Sequence, residues 1–177
     1  MPKAERISKN TELGLISELM KNSRRSDREL AKAVGISQPT VGRMLKKLEK
    51  DGVITEYTVM SNLAKLGIEI LAFTFGVWSP EKIQEHPEDE RIEKAKRFIS
   101  QHPNVIFASS GLGLGMGRMI MTAHKNYSDY IEFMRKARSE WAGLVNLESF
   151  VISLKTDAVI MPMSFRTLMD YVRMTEQ

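Results

Sequence analysis

The chain has no cysteine, which excludes disulfide bonds, a thiol nucleophile and metal sites built on thiolates. It also has no apolar run long enough to cross a membrane, and its first ten residues, MPKAERISKN, lack the apolar core of a secretion signal. The missing thiols fit a reducing compartment. We therefore expect a cytoplasmic protein that has no membrane partner.

Histidine is also scarce, and the three residues present are scattered along the sequence. His86 and His102 flank predicted helix ends beside prolines, and His124 ends a predicted strand, where we expect a surface or interface residue. An H-E-x-x-H pair, a nucleophile elbow and a Walker loop are all missing. We therefore expect no enzyme, no metal site and no cofactor.

Positive charge is abundant but confined to one part of the chain. Residues 1–55 hold 12 Lys or Arg against 7 Asp or Glu, a net charge of +5. Residues 56–177 hold 14 against 15, a net charge of −1. A basic module joined to a near-neutral one indicates that a polyanion is the partner of the first module.

The basic module contains a pattern typical of a helix-turn-helix, SDRELAKAVGISQPTVGRMLKKLEKDGVITE over residues 26–56. Ser26 and Glu29 have the spacing of a capping box, which predicts a helix start. Gly35 predicts the end of that helix, because glycine enters the left-handed region at no steric cost. Ser37 is a suitable N-cap for a second helix.

The second helix has an apolar face and a polar face, as expected for a helix that enters a DNA groove. We expect Gln38, Thr40 and Arg43 to face bases, and Lys46, Lys47 and Arg28 to lie nearer phosphates. The same helix packing would also serve a protein-interaction module that does not bind DNA. The candidate DNA-binding residues are Arg28, Ser37, Gln38, Thr40, Arg43, Lys46 and Lys47.

The predicted DNA-binding domain covers residues 1–61. Its first helix is expected from about Ser8 to Asn22, and its buried side chains are expected to be Leu13, Ile16, Leu19 and Met20. Residues 53–54 and 57–59 are expected to form a short wing after a turn at Asp51-Gly52. Residues 62–67 are the expected linker to the next domain.

Residues 68–160 predict a β-α-β-β-α-β order, so the fold class is α+β, a winged helix-turn-helix followed by a ferredoxin-like domain. Strands are expected at 68–78, 105–110, 118–124 and 144–155. A helical region is expected to start at Ser79-Pro80 and to continue over 88–100. Another helix is expected from an N-cap at Ser128 to about Ala142, with Ile131, Met134, Ala137 and Trp141 inward. A final helix is expected over about 164–174, within residues 161–177.

The first of these strands is apolar on both faces, with Leu71, Phe73, Phe75 and Val77 alternating with Ile68, Ile70 and Ala72. Two helices can cover only one face of the predicted sheet. The apolar side chains on the other face therefore predict a homodimer in which a second subunit covers them.

Together these features resemble the Lrp/AsnC (feast/famine) family of transcriptional regulators over nearly the full length. The resemblance rests on ISQPTVGRMLKKLEKDGVI at 36–54, on YTVMSNLAKLGI at 57–68, and on the order of the two modules. It implies a sequence-specific DNA-binding transcriptional regulator whose partner is double-stranded DNA. It also implies a homodimer joined through the C-terminal sheets, which can assemble into tetramers or octamers.

In that family a small-molecule effector, usually an amino acid, binds near the loop between the second and third strands. Here that loop reads GLGLGMG over residues 111–117, and alternating glycine suits close approach to a ligand or another chain. The family often has an acidic residue just before the third strand, whereas Arg118 can receive an anionic metabolite. A hairpin connection without a ligand is the alternative. The candidate effector-binding residues are Gly111, Gly113, Gly115, Gly117 and Arg118.

An enzyme of the same architecture is the remaining alternative. Some siroheme decarboxylases resemble this two-domain fold, so the architecture alone does not exclude catalysis. They require His, Arg and Tyr side chains in one pocket, and the scattered histidines of this chain do not predict such a pocket.

Overall fold

A computed structural model describes residues 3–113, 116–156 and 159–174. The chain folds as two units, of which the first comprises the residues up to Met60 together with those from Pro162 onward. The second unit runs from Ser61 to Met161. Each unit has its own hydrophobic core.

Three helices build most of the first unit: α1 (Lys3–Lys21), α2 (Asp27–Val34) and α3 (Gln38–Lys50). Their apolar faces meet in a core that fully buries Leu15 and Val41 and nearly buries Leu30 and Leu48. Burial of four large aliphatic side chains is the main source of stability for a unit of this size. The second and third helices therefore have a fixed mutual orientation.

The buried face of α1 differs from the sequence prediction. The helix begins at Lys3, earlier than Ser8, and Leu15 is its most buried apolar side chain. The four side chains predicted as buried, Leu13, Ile16, Leu19 and Met20, are half-buried. Apolar residues occupy most of the positions from 13 to 20, so the helical period alone does not select one face, and the contacts with α2 and α3 decide it.

Residues 53–59 do not form the two short wing strands that the sequence predicts. Instead, the amides of Val53 and Ile54 donate to the carbonyl oxygen of Leu48 at 2.9 and 3.1 Å. These bonds use donors that a wing strand would need for pairing. Ile54 packs against the core of the first unit, whereas Val53 is exposed. The segment after α3 is therefore an irregular arm.

The second unit is a four-stranded antiparallel sheet in the order β2-β3-β1-β4, with three helices. This is the predicted ferredoxin-like arrangement. The first strand, β1, pairs with β3 on one side and with β4 on the other. Phe73 of β1 therefore lies opposite Met121 of β3 and Phe150 of β4. The elements are β1 (Ile70–Trp78), α4 (Pro80–Glu85), α5 (Glu88–Ser100), β2 (Val105–Gly113), β3 (Met116–His124), α6 (Tyr127–Glu140) and β4 (Val145–Ser153).

The two faces of this sheet differ in burial. On the helix-covered face, Ile70, Ala72 and Trp78 of β1 pack against α5 and α6, whose contributions to the core include Phe98 and Phe133. The other side chains of β1 alternate with these and are only half-buried. We call this second surface the open face; it carries Leu71, Phe73, Phe75 and Val77 of β1, Phe107, Met119, Met121, Phe150 and Ile152.

The start of α6 corrects the sequence prediction. Its N-cap is Asn126, whose side-chain oxygen accepts a hydrogen bond from the amide of Asp129 at 2.9 Å, and not Ser128. Met134, Ala137 and Trp141 are buried as predicted, but Ile131 is exposed. Tyr130 and Phe133 are buried as well, so the inward face of the helix follows positions 130, 133, 134 and 137 and leaves Ile131 outside it.

The chain returns to the first unit at its C-terminal end. There α7 (Leu168–Met174) packs against α1, and Met169 is buried. The helix begins later than the predicted position near Ser164, so Phe165 precedes it and is exposed. Within the described ranges, no helix has both the length and the apolar character that spanning a membrane requires.

Candidate nucleic-acid interface

The start of α2 is held by the capping box that the sequence predicts. The amide of Ser26 donates to the Glu29 carboxylate at 2.8 Å, and the amide of Glu29 donates to the Ser26 hydroxyl at 3.3 Å. These bonds satisfy two backbone donors that have no partner inside the helix. They also lower the pKa of Glu29, because both the backbone and the hydroxyl of Ser26 donate to its carboxylate.

The turn between α2 and α3 depends on Gly35. Its φ of 77° lies in the left-handed region, and its amide donates to the carbonyl oxygen of Ala31 at 2.9 Å. A residue with a Cβ is strained in this conformation, so glycine is required for a turn this short. Ile36 then packs into the core, and the turn directs the start of α3 outward.

The first turn of α3 is organised by side chains predicted to contact DNA. The Ser37 hydroxyl accepts from the amide of Thr40 at 3.4 Å and lies 2.8 Å from the Thr40 hydroxyl. Arg43 donates to that same hydroxyl at 3.4 Å. Because Ser37, Thr40 and Arg43 form one chain of contacts, the guanidinium is held along the exposed face of the helix.

Four of the other candidate side chains are also exposed: Arg28, Gln38, Lys46 and Lys47. Lys47 differs from its neighbour, because its ammonium group forms a salt bridge of 2.7 Å with Glu12 of α1. The hydrogen bond to Glu12 and its negative charge raise the pKa of Lys47. Among the described residues, no acid pairs with Lys46 or Arg43 within salt-bridge distance. The structure therefore separates the two adjacent lysines into a paired and an unpaired cation.

Tyr57 makes a contact that the sequence did not predict. Its hydroxyl donates to the carboxylate of Glu49 at 2.8 Å and so ties the arm after α3 back to the helix. Partial burial and this hydrogen bond raise the pKa of Tyr57 to about 12. The contact joins residues eight positions apart across a helix end, and no motif in the sequence marks it.

The glycine-rich stretch forms the ends of β2 and β3 instead of a long loop. Gly111 and Gly113 lie in β2 and Gly117 lies in β3, while Gly115 falls outside the described residues. Gly113 has a φ of 145°, which disfavours any side chain there. Arg118 pairs with Gly76 of β1, on the helix-covered face of the sheet. The candidate effector residues thus lie along a hairpin whose arginine faces inward.

The prediction for His124 is wrong. It is fully buried, where its Nε2 lies 2.8 Å from the Thr122 hydroxyl and its Nδ1 lies 3.5 Å from the Asn104 amide nitrogen. Burial lowers the pKa of His124, and the charge of Asp129, at 3.7 Å, acts in the opposite direction. His102 and His124 both contact the ring of Phe133. Among the described residues, no cluster of three or more His, Asp or Glu has metal-binding geometry.

Comparison with known proteins places this arrangement in context. Residues 9–55 match the family described as winged helix-turn-helix DNA-binding. An uncharacterised HTH-type transcriptional regulator of Pyrococcus abyssi is 37% identical over 121 residues, which cover 68% of this chain and 76% of that protein. The HTH-type transcriptional regulator LrpC of Bacillus subtilis is 30% identical over 54% of this chain. The match spans 60% of the length of LrpC and 64% of the length of LrpA from Pyrococcus horikoshii.

Solved structures share the fold across both units. AsnC of E. coli has a TM-score of 0.68 at 18% identity and covers 87% of this chain and 96% of its own. A transcriptional regulator of Neisseria meningitidis in complex with L-Met has a TM-score of 0.71 at 18% identity, covering 89% and 97%. At this identity the matches establish the common fold and leave the function to be argued from the residues.

Proposed function

The chain belongs to the Lrp/AsnC family of HTH-type transcriptional regulators, and we propose that it binds duplex DNA sequence-selectively through α3 and thereby regulates transcription. The observation that carries this proposal is the exposed face of α3. It combines polar side chains with unpaired cations, and its helix is fixed by a capped turn. A helix of this kind fits the major groove, where base edges and phosphates accept hydrogen bonds. A cytoplasmic location is part of the proposal and is supported by this DNA-binding role.

The roles of the candidate residues follow from their positions. We assign Gln38, Thr40 and Arg43 to base edges, because Gln38 and Arg43 are exposed in the first half of the helix and the half-buried Thr40 contacts Arg43 through its hydroxyl. Lys46 and Arg28 are assigned to phosphates, for which a point charge is sufficient. Lys47 also belongs to this group, but Glu12 competes with phosphate for its ammonium group.

A homodimer joined through the open face is part of the proposal. Phe107 and Phe150 of this face are 49% and 66% exposed, although both are large apolar side chains in regular strands. Covering them with a second copy removes apolar area from water and needs no new fold. Two-fold symmetry then gives a pseudo-palindromic DNA site with half-sites about one helical turn apart, or a multiple of it.

The test of this function is selection of bound fragments from random DNA, followed by anisotropy titrations of the selected site. Arg43→Ala should weaken binding to that site by about 1–3 kcal/mol and reduce the preference over random DNA. Arg135→Ala, at an exposed position of α6, is the matched control and should change neither value. If Arg43→Ala leaves the preference unchanged, the assignment of Arg43 to bases is wrong.

An effector role for the Gly111–Gly117 hairpin is a second part of the proposal. The related regulator solved with L-Met supports a small molecule as ligand in that protein. In this chain, Arg118 beside Gly117 favours an anionic group, which includes the carboxylate of an amino acid. Binding would favour one assembly among dimers, tetramers and octamers over the others. The change of assembly would alter the spacing between the α3 helices of its subunits.

A further inference from the structure

Two arginines lie against the ring of Trp78, on the helix-covered face of the sheet. The guanidinium carbon of Arg91, from α5, is 5.2 Å from the ring centroid, and that of Arg118, from β3, is 5.8 Å from it. Trp78 itself is only 7% exposed. Each arginine gains a cation–π contact, but an aromatic ring does not neutralise a charge. Two cations from different elements therefore share one indole.

Polar atoms in this cluster lack partners. The indole N–H of Trp78 and the Nε–H of Arg91 are both buried, and neither has a hydrogen-bond acceptor among the described residues. Leaving a buried donor unsatisfied is costly, and native proteins rarely do so without a reason. Two such donors within one cluster point to an acceptor that is not part of the chain.

The electrostatic balance agrees with the geometry. Burial lowers the pKa of Arg118, the positive charge of Arg91 lowers it further, and only the exposed Glu88 acts in the opposite direction. Within the described part of the chain, neither arginine has an acid within salt-bridge distance. Like charges in a partly buried site repel each other with little screening. An anion placed between them would remove that repulsion.

A cavity of about 80 Å³ adjoins the cluster, and its walls are almost entirely apolar. Gly76 helps to keep it open, because a Cβ there would lie 3.0 Å from Cγ1 of Val145 and so crowd the cavity wall. This volume exceeds the roughly 30 Å³ that one water molecule occupies. Because the walls are apolar, the space suits a short aliphatic chain better than water. Its lining includes Trp78, Arg118, Phe98, Ile120, Trp141 and Leu147.

We propose that Arg91, Trp78 and Arg118 form a binding site for a short-chain carboxylate, with the carboxylate held by the two guanidinium groups and the aliphatic chain in the adjoining cavity. A planar carboxylate matches the donor fork of arginine, and the indole N–H supplies a further donor. Phosphate would match the charges but would leave the apolar cavity unused. The regulatory meaning of this site rests on the proposed function, whereas binding itself involves one protomer and no DNA.

The protein carries its own probe for this site, because its two tryptophans, Trp78 and Trp141, both line the cavity. The experiment is a titration of the full chain with sodium butyrate at constant ionic strength, monitored by tryptophan fluorescence. Parallel titrations use 1-butanol, which has the same chain without the charge, and inorganic phosphate, which has charge without the chain. We expect a saturable change with butyrate and at least tenfold weaker responses to the other two.

Variants test the arginines separately from folding. Arg118→Gln and Arg91→Gln should each raise the Kd for butyrate at least tenfold, and Arg118→Lys should rescue only part of the loss because it lacks the fork. Arg97→Gln, an exposed position on the same helix as Arg91, should bind like the parent. Without ligand, Arg118→Gln should melt at the same or a higher temperature than the parent, since it removes one of two repelling charges.

Several results would overturn the site. These are no saturable response to butyrate, phosphate binding as tight as butyrate binding, unchanged affinity in Arg118→Gln, or a large drop in the melting temperature of that variant. The last result would assign Arg118 a structural role. DNA titrations of the same proteins keep the two proposals apart: a butyrate response without DNA binding sinks only the proposed DNA-binding function, and DNA binding without a butyrate response sinks only this site.

Discussion

The exposed face of α3 and the open face of the sheet differ in the force that favours binding. The first carries cations such as Arg43 and Lys46, whose attraction for a polyanion is screened by salt. The second carries phenylalanines such as Phe107 and Phe150, whose burial is favourable at any moderate ionic strength. The difference teaches that one chain can separate assembly from DNA recognition, because salt acts strongly on only one of them.

The largest expected effect comes from breaking the apolar surface. Phe150→Asp should convert the proposed dimer to a monomer, because two-fold symmetry means that the substitution removes two buried phenyl groups, about 3–6 kcal/mol of dimer stability. Phe150 is 66% exposed in the single chain, so the protomer itself should still fold.

Sedimentation velocity at micromolar concentration measures this outcome. Ile131→Asp is the control, since Ile131 is also exposed but lies on α6, away from the open face. A Phe150→Asp protein that sediments like the parent would remove the open face as the interface.

An increase in salt concentration should have an almost equally large effect, and it should weaken DNA binding without weakening the dimer. A dimer that places Arg28, Lys46 and Lys47 of each subunit on phosphates should lose about a thousandfold in DNA affinity between 50 and 200 mM salt, or about 4 kcal/mol. The dimer dissociation constant should change by less than threefold over the same range. Parallel anisotropy and sedimentation measurements give both values, and equal salt dependence would mean that the comparison is wrong.

The local features of the first unit could be predicted from its sequence. The Ser26–Glu29 capping box and the turn at Gly35 depend on residues only three or four positions apart, so their spacing is sufficient. The helical region predicted from Ser79 to 100 divides at Pro87 into α4 and α5, and its end at Ser100 matches the prediction because its apolar period is regular. The sheet order followed from the order of elements and the apolar first strand.

Features that depend on distant residues could not be predicted. The burial of His124 arises from packing beneath Tyr130 and Phe133 of a different element, and a lone histidine in a strand gives no sign of it. The contact of Arg91 and Arg118 with Trp78 joins three elements of the second unit. Residue 131 faces solvent because the contacts of α6 bury positions 130, 133, 134 and 137, and this face could not be selected from the sequence alone.

The buried histidine gives the second unit a sensitivity to pH that the first unit lacks. Burial lowers the pKa of His124 below its ordinary value near 6.5, so the unfolded chain binds the proton more readily than the folded one. Stability contributed by the neutral ring is therefore fully present above pH 6.5 and is lost as the pH falls towards the lowered folded pKa. The free energy of unfolding should decrease as the pH falls below about 6.5.

Urea unfolding followed by tryptophan fluorescence measures this change in the second unit, which contains both tryptophans. His124→Asn should flatten the profile over that range, even if the variant is less stable at every pH. Arg135→Ala is the control, because Arg135 is an exposed residue of α6 and its removal should leave the slope of the parent unchanged. A profile that is as steep in His124→Asn as in the parent would assign the slope to another group.

The smallest expected effect concerns the two adjacent lysines on the exposed face of α3. Lys46 is free of acids at salt-bridge distance within the described residues, whereas Lys47 is bound to Glu12 at 2.7 Å. Because a dimer carries two copies of each lysine, Lys46→Ala should therefore reduce the slope of log affinity against log salt by about two. Lys47→Ala should reduce it by less, because phosphate and Glu12 compete for the same ammonium group. Glu12→Gln should strengthen DNA binding a few-fold by freeing Lys47 and removing a negative charge near the phosphates. Its side chain remains large enough to keep the packing on α1, so an unchanged melting temperature is the control. Equal slopes for Lys46→Ala and Lys47→Ala would mean that the salt bridge opens on binding, and that the contact seen in the free protein does not limit the phosphate contact.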